Sequence, residues 1–153
     1  MLVSQLLSMK DSAGKPGLKA RSIVTIAPTA TVAEAVAVLA EHRIGAVVVS
    51  QDGDAPAGIL SERDVVRQLA AKGAAVLERP ISDFMTREVQ TCHTSEDALV
   101  ILERMTAGRF RHLPVIDSDG RMIGVVSIGD AVSGRLKELA AEKEALTGMI
   151  MGN

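Results

Sequence analysis

The feature that most constrains this chain is an internal repeat. The segment GILSERD at 58–64 returns as GVVSIGD at 124–130, 66 residues later. Carried upstream without a gap, the same shift pairs identical residues: Thr25 with Thr91, Arg43 with Arg109, and Val49 with Val115. One copy of about fifty residues is too small to bury its apolar face alone, so the two copies should fold together.

Each copy predicts the same order of elements: a strand, a helix, two strands joined by an Asp-Gly turn, and a second helix. Thr31 and Asp97 precede the first helix of each copy, where their side chains can cap free amides. The predicted strands are 23–26, 44–49 and 58–60 in the first copy and 89–92, 113–116 and 124–126 in the second. The predicted fold class is α/β (α+β), with two β-α-β-β-α repeats whose sheets pack together.

The repeats divide the chain into five segments. They are an N-terminal helix and lead-in at 1–19, the first repeat at 20–73, a linker at 74–85, the second repeat at 86–139 and a C-terminal helical extension at 140–153. The first helix should cover 2–9 and end at Gly14 and Pro16. An amphipathic helix at 131–146 outlasts the second repeat. It should pack on the N-terminal helix or on another subunit, and a solvated overhang is the alternative.

Composition argues against several classes of protein. A net charge of −2 over 153 residues, without a basic block, argues against a nucleic-acid-binding surface. A single cysteine, Cys92, leaves no intrachain disulfide and no cysteine-rich zinc site, and we interpret it as a buried apolar residue. No apolar run approaches the roughly 20 residues that cross a bilayer, and the N-terminus has no leader-like cleavage site. We therefore expect a cytoplasmic protein that needs no metal and no membrane.

The two heptapeptides carry the functional signal. In each, a Gly-apolar-apolar strand is followed by Ser-x-x-Asp at a helix start: Ser61 with Asp64, and Ser127 with Asp130. One interpretation is structural, because Ser-x-x-acid can form a capping box. The other is a nucleotide site, because helix amides suit phosphate and a carboxylate can hold two ribose hydroxyls. Finding the pattern twice favours the nucleotide site.

These segments resemble a known family. TIAPTATVAEAVAVLAEHRIGAVVV, GILSERD, RFRHLPVID and GVVSIGD together resemble the tandem cystathionine-β-synthase (CBS) domain pair, or Bateman module, over about residues 20–139. The resemblance implies pseudo-twofold packing of the two sheets and two clefts for adenosine-containing ligands. It implies AMP as the ligand, with ADP, ATP or NAD(H) as alternatives. It also implies that two chains pair into a flat disc of four CBS domains.

The resemblance implies roles for individual residues. The implied nucleotide-binding residues are Asp64 and Asp130 at the ribose, Ser61 and Ser127 at ribose or phosphate, Thr25 and Thr91 at base or sugar, and Ala30, Gly45, Ala46, Arg63, Arg111 and His112 around them. In this family, residues of both repeats line each cleft. The cleft of Asp130 would therefore take Thr25, Ala30, Gly45 and Ala46, with Arg111 and His112 beside it.

Several of these residues have a plain structural alternative. Gly45 and Ala46 can serve strand packing, Arg111 a surface salt bridge, and His112 the cover of a sheet edge. Arg63 has Gly129 as its counterpart in the repeat, so the clefts should differ in their preference for phosphate. The segment at 86–87 resembles one that lies near the phosphates in the family, with an exposed arginine as the alternative.

The predicted function is an adenine-nucleotide sensor that signals the energy state of the cell to a regulated protein that the sequence does not name. The alternative is a ligand-free scaffold for protein interaction or dimerisation, in which Ser-x-x-Asp only caps helices. The sequence shows no nucleophile–base pair, no Gly-rich phosphate loop with a lysine and no metal cluster, which argues against an enzyme.

Overall fold

The computed structural model describes the backbone of residues 1–13 and 23–151, and the side chains of 1–9 and 23–151. In chain order the elements are α1 (Val3–Ala13), β1 (Thr25–Ile26), α2 (Val32–His42), β2 (Ala46–Val49), β3 (Gly58–Ser61), α3 (Glu62–Lys72), α4 (Ala98–Gly108), β4 (His112–Ile116), β5 (Met122–Ser127) and α5 (Ile128–Ile150). Two short 3-10 turns, Ala74–Glu78 and Ile81–Asp83, follow α3. The helix α1 is longer than predicted, and Gly14 and Pro16 lie outside the described residues.

The helices α2 and α4 confirm the repeat, because their first and last residues are each separated by 66 positions. Thr31 and Asp97 cap them as predicted, each accepting a hydrogen bond from a backbone N–H in the first turn. Arg43 and Arg109 end them with positive φ angles of 53° and 56°. The same local chemistry therefore begins and ends the first helix of each copy.

Each copy places its strands in a sheet of its own. In the first copy β1 runs parallel to β2, and β2 runs antiparallel to β3. In the second copy β4 and β5 are antiparallel, with an irregularity after Val115. The two copies are joined directly where Met122 N donates a hydrogen bond of 2.8 Å to Asp54 O.

The first strand of each copy is shorter than predicted. The strand expected at 23–26 forms only at its end, as β1. The prediction of a strand at 89–92 is wrong, because in this segment only Cys92 pairs with a strand, through one isolated parallel bridge to Val115. Pro114 stands in β4 where β2 has Val48, and proline has no N–H to give to a neighbouring strand. The parallel ladder of the second copy therefore stops after one bridge.

Each copy is completed by the segment that precedes the other copy along the chain. The start of α1 joins the second copy, where Val3 N donates to Glu96 O at 2.9 Å. The segment after α3 joins the first copy by the equivalent bond, from Ile81 N to Ala30 O at 2.8 Å. Val3 and Ile81 are both fully buried, each in the core of the copy that it completes.

A second sequence repeat accounts for this exchange. VSQLLS at 3–8 and ISDFMT at 81–86 match position by position at a spacing of 78 residues. A Cβ atom on Gly58 would lie 2.5 Å from Met85 Sδ, and one on Gly124 would lie 2.7 Å from Leu7 Cδ2. The two segments therefore cover equivalent glycines of the two sheets.

The helix α5 begins in the second copy and continues beyond it. Its inner face packs on α1, since Gly134 is buried against Leu6. Packing on the N-terminal helix was one of the predicted arrangements. Among the described residues, no helix is both long enough and apolar enough to span a membrane.

Candidate functional site

A cavity of about 940 Å³ lies between the two copies. Its walls come from both repeats. The lining residues are Gly45, Ala46, Ile59, Ser61, Glu62, Arg63, Asp64, Arg67, Thr86, Glu88, Val89, Gln90, Arg104, Ala107, Gly108, Arg109, Phe110, Arg111, His112, Ser127, Ile128 and Gly129. The volume falls within the range of small-molecule sites, which are roughly 300–1,000 Å³.

The start of α3 presents Asp64 to this cavity. Asp64 N donates to Ser61 Oγ at 3.2 Å, and both Ser61 N and Ser61 Oγ donate to Asp64 Oδ2 at 2.9 Å. This is the capping box that the sequence allowed as a structural interpretation. The bonds that form it end on Oδ2, so the second carboxylate oxygen, Oδ1, takes no part in the cap.

The start of α5 repeats this arrangement. Ser127 N donates to Asp130 Oδ2 at 2.8 Å, and Asp130 N donates to Ser127 Oγ at 3.1 Å. Ser127 lines the cavity, whereas Asp130 is not among its lining residues. The doubled Ser-x-x-Asp pattern thus caps both helices, and one of the two aspartates also faces the cavity.

The structure brings together eight of the twelve predicted site residues. Those in the cavity wall are Ser61, Asp64, Ser127, Gly45, Ala46, Arg63, Arg111 and His112. Thr25, Thr91, Ala30 and Asp130 do not line it. The sequence grouped Gly45, Ala46, Arg111 and His112 with Asp130, but in the structure they share the cavity with Asp64.

Backbone bonds account for two of the residues outside the wall. Ala30 O accepts the bond from Ile81 N at 2.8 Å that holds the exchanged segment. Thr91 O accepts a bond of 2.9 Å from Arg104 Nη2. Ala30 therefore takes part in joining the exchanged segment to the first copy, and Thr91 takes part in a bond within the second copy.

Gly45 of the first repeat and His112 of the second lie close together in the wall of the cavity. A Cβ atom on Gly45 would lie 3.5 Å from the His112 ring and 3.5 Å from Glu62 Oε1, which is ordinary contact. Glu62 N donates to Gly45 O at 2.9 Å, and in the second copy Ile128 N donates to Arg111 O at 2.8 Å. The same bond thus ties each helix start to the same position of each repeat.

The cavity is basic. Its lining includes five arginines, which are Arg63, Arg67, Arg104, Arg109 and Arg111. The acidic residues in the wall are three, namely Glu62, Asp64 and Glu88, so the wall carries a formal charge of +2 with His112 neutral. Such a surface attracts an anion.

The sequence interpretation missed three of these arginines. Arg67 follows Arg63 by one helical turn, so both can lie on one face of α3. Arg104 lies on α4 and is bound to Glu96 at 3.1 Å, and Arg109 follows the end of that helix. The spacing of Arg63 and Arg67 is the one signal in the sequence that could have found a further member.

The two residues of the segment at 86–87 lie in different surroundings. Thr86 lines the cavity, as the resemblance implied. Arg87 is exposed and donates to Ser82 O at 2.8 Å instead. The exposed alternative therefore holds for the arginine.

Cys92 is fully buried outside the cavity, as predicted. Burial, together with the nearby charge of Glu96, raises the pKa of its thiol to about 12. Within the described part of the chain, no group of histidine, cysteine and acidic side chains is placed to hold a metal ion.

The comparison with known families also finds two repeats. A model of the CBS domain matches residues 18–71 and 81–136. The chain belongs to the CBS-domain family. This CBS pair is 37% identical over 126 residues to the mitochondrial CBS domain-containing protein CBSX3 of Arabidopsis thaliana, covering 80% of this chain and 61% of that protein. It spans 61%, 64% and 56% of the lengths of three curated relatives.

Solved structures show the same fold. A CBS-domain containing protein from Agrobacterium tumefaciens is 39% identical, with a TM-score of 0.77 over 88% of this CBS pair and 99% of that chain. A CBS domain protein from Pyrobaculum aerophilum, solved as a complex with AMP, is 28% identical, with a TM-score of 0.69 over 85% of this chain and 89% of that one. The predicted mixed α/β fold with two CBS repeats is confirmed.

Proposed function

We propose that this CBS pair is a regulatory module that binds an adenine nucleotide in the cavity between its repeats. AMP is the first candidate, and ADP, ATP and NAD(H) are the alternatives. The observation that carries the proposal is the cavity itself, in which a carboxylate at a helix start and arginines of both repeats face one space. The proposed role is binding, without a chemical step.

Asp64 is the proposed partner of the ribose. A carboxylate has acceptor positions on both oxygens, so Asp64 can cap α3 through Oδ2 and receive ribose hydroxyls through Oδ1. Capping and ligand binding are therefore compatible at this residue. The bond from Ser61 also holds the carboxylate in place before a ligand arrives.

The arginines are the proposed partners of the phosphate. Guanidinium groups bind phosphate oxygens with two parallel hydrogen bonds, and the wall of the cavity carries a formal charge of +2. Arg63 comes from the first repeat and Arg109 and Arg111 from the second. A ligand held by both sets would be in contact with both repeats.

The similar protein from Pyrobaculum aerophilum supports an adenosine ligand. That protein was solved with AMP, and its fold matches 85% of this chain. The base would occupy the part of the cavity where Gly45 and Ala46 leave room, since neither carries a large side chain. This assignment is the one implied by the sequence resemblance.

Signalling would follow from the shared cavity. A ligand that contacts both repeats favours the arrangement in which they lie together, and so shifts the population of conformations. A regulated protein would read that shift on the surface. We propose that two chains pair into a disc of four CBS domains, and that the module reports the energy state of the cytoplasm.

A ligand-free scaffold is the second candidate. The observation that favours it is the completeness of both capping boxes, because each Ser-x-x-Asp already has a structural use. Under this alternative the cavity is a by-product of packing two repeats. The two candidate functions predict different effects on nucleotide binding when the charge of the aspartate is removed.

The first experiment measures the melting temperature of the full chain with AMP, ADP, ATP, NADH and S-adenosylmethionine. A ligand at one hundred times its Kd adds about 2.7 kcal/mol of stability, which is readily detected. We expect AMP or another of the adenine nucleotides to raise the melting temperature. If none of the five does so, the sensor proposal fails.

The second experiment compares Asp64→Asn with Asp130→Asn. Asparagine keeps an oxygen for the cap and nearly the same shape, so each variant should stay within about 1 kcal/mol of the native stability. We expect Asp64→Asn to weaken nucleotide binding about tenfold or more, because the charged acceptor is lost. If Asp130→Asn leaves nucleotide binding unchanged, only the cleft of Asp64 is occupied. If Asp130→Asn weakens nucleotide binding, a second cleft at Asp130 is occupied as well. Binding unchanged in both variants favours the scaffold.

A further inference from the structure

One arginine of the cavity wall is held by the segment that precedes α4. Arg104 donates to Glu96 Oε1 at 3.1 Å through Nη1 and to Thr91 O at 2.9 Å through Nη2. Gln90 Oε1 lies 3.5 Å from the same Nη2. The side chains of the other four arginines of the wall make no ion pair or hydrogen bond with another described residue. Arg104 therefore differs from them in being fixed before a ligand arrives.

Glu96 also holds the start of α1. Its second carboxylate oxygen, Oε2, accepts a bond of 2.6 Å from His93 N, and its backbone oxygen accepts the bond of 2.9 Å from Val3 N. In the same loop Ser4 N donates to Thr94 O at 3.0 Å. Because Val3 is fully buried in the core of the second copy, these bonds attach α1 to that copy. Glu96 itself does not line the cavity.

The first copy has no such pair of charges. At the spacing of 66 residues, Val38 stands at the position of Arg104 and Ala30 at the position of Glu96. Ala30 O nevertheless accepts the equivalent bond from Ile81 N, so an exchanged segment can be attached without the pair. The pair therefore has a use in the second copy that the attachment alone does not explain.

We propose that Arg104 and Glu96 couple the nucleotide in the cavity to α1. Arg104 binds the phosphate, and Glu96 is a positioning residue that holds Arg104 in the wall. Occupancy of the cavity then strengthens the attachment of α1 to the second copy. The inference rests on the proposed function and adds the element of the fold on which occupancy is read.

The direction of the effect follows from the donors of Arg104. Its three bonds use three of the five N–H groups of a guanidinium, so two remain for phosphate oxygens. A phosphate bound there fixes the guanidinium and opposes conformations in which the segment at 91–96 moves away from α4. Local opening of α1 requires that segment to release Val3, so the opening becomes rarer. The coupling is reciprocal, and an attached α1 tightens nucleotide binding by the same factor.

The test follows hydrogen exchange at the backbone amides of Val3 and Ser4 in the full chain by NMR. The ligand is the adenine nucleotide that raises the melting temperature most, at a saturating concentration. We expect exchange at both amides to slow about fivefold or more, the lower end of coupling between sites. Saturating adenosine, which carries no phosphate, should not slow it. Equal slowing by adenosine, or faster exchange with the nucleotide, would overturn the coupling.

Two substitutions remove the pair from either side. In Arg104→Gln and Glu96→Gln, saturating nucleotide should slow exchange at Val3 less than about twofold. Glu96→Gln keeps an oxygen for His93 N, and it should weaken nucleotide binding about three- to tenfold because no charge holds Arg104. Adenosine should bind Glu96→Gln and the native chain alike. An equal loss for adenosine would assign Glu96 a structural role only.

Arg109→Gln is the matched control. Arg109 lines the same wall, but its side chain makes no bond to the segment at 91–96 in the part of the chain that the structure describes. The variant should bind nucleotide more weakly and still show the full slowing at saturation. If Arg109→Gln loses the slowing as Arg104→Gln does, the coupling does not run through Arg104.

The outcomes separate this inference from the proposed function. If no adenine nucleotide raises the melting temperature, the proposed function fails and this inference fails with it. If a nucleotide binds but exchange at Val3 and Ser4 is unchanged, the proposed function stands and the coupling to α1 is overturned.

Discussion

Arg43 and Arg109 end α2 and α4 in the same left-handed conformation, with φ angles of 53° and 56°. Glycine is the usual residue at such a helix end because a Cβ atom is unfavourable there. Both copies of the repeat nevertheless use arginine. The two residues differ in surroundings, since Arg109 lines the cavity and Arg43 does not.

This difference predicts a contrast between Arg43→Gly and Arg109→Gly. Each should gain about 0.5–1 kcal/mol in the free energy of unfolding, because the strained Cβ is removed. Only Arg109→Gly should also weaken binding of a phosphorylated nucleotide. Urea unfolding and calorimetric titration with AMP measure the two effects. Equal loss of binding in both variants would show that Arg109 has no special place in the cavity.

The basic wall predicts that phosphate contributes much of the binding energy. Arg111→Ala should weaken AMP binding by about 10- to 100-fold, because a hydrogen bond to a charged group contributes about 1.5–3 kcal/mol. Adenosine, which has no phosphate, should bind the variant and the native chain alike. Arg87→Ala is the matched control, since Arg87 bonds to Ser82 O outside the cavity. A loss for adenosine as large as that for AMP would assign Arg111 a structural role.

The exchanged segments predict that the two equivalent glycines differ in tolerance. A Cβ atom on Gly58 meets Met85 Sδ at 2.5 Å and the backbone oxygen of Thr86 at 3.0 Å, whereas one on Gly124 meets only the Leu7 side chain. Gly58→Ala should therefore lower the free energy of unfolding by about 1–3 kcal/mol, and Gly124→Ala by less. The midpoints of urea unfolding test this order. The reverse order would mean that the segment after α3 moves more easily than α1.

Cys92 predicts a loss of stability at alkaline pH. Its thiol has a pKa of about 12 when folded, against 9.0 for the unperturbed group. Above pH 9 the unfolded chain therefore binds fewer protons than the folded chain. The contribution of this thiol to the free energy of unfolding is complete below pH 9 and is lost as the pH rises toward 12. The decline should be at most about 1.4 kcal/mol per pH unit. Cys92→Ala should show a shallower decline between pH 9 and 11, and identical slopes would contradict the assignment.

The sequence predicted the helices of the repeat closely. The capping residues Thr31 and Asp97 and the helix starts at Ser61 and Ser127 are all found in the structure. These features depend on residues within one turn of each other, so local sequence contains the information. The strand at 89–92 failed because Pro114, in a different strand, determines whether that backbone finds a donor.

Membership of the cavity could be predicted only in part. Eight of the predicted residues line the cavity, among them Ser61 and Ser127, which occupy the same position in the two copies. Arg104 and Arg109 were missed because nothing near them in the sequence indicates which way α4 faces. The grouping of Gly45 and Ala46 with Asp130 stays a prediction, since both residues line a cavity that also contains Asp64 and Ser127.

The sequence by itself determined the two repeats, their helices and their caps, because each depends on short spacings or on direct comparison of the two copies. Only the tertiary structure decided that each copy is completed by the segment preceding the other, and that Gly45 meets His112, 67 residues away. Those contacts depend on how the sheets and helices of the described residues fill a common volume. Local patterns do not specify that packing, since the same pattern fits either copy.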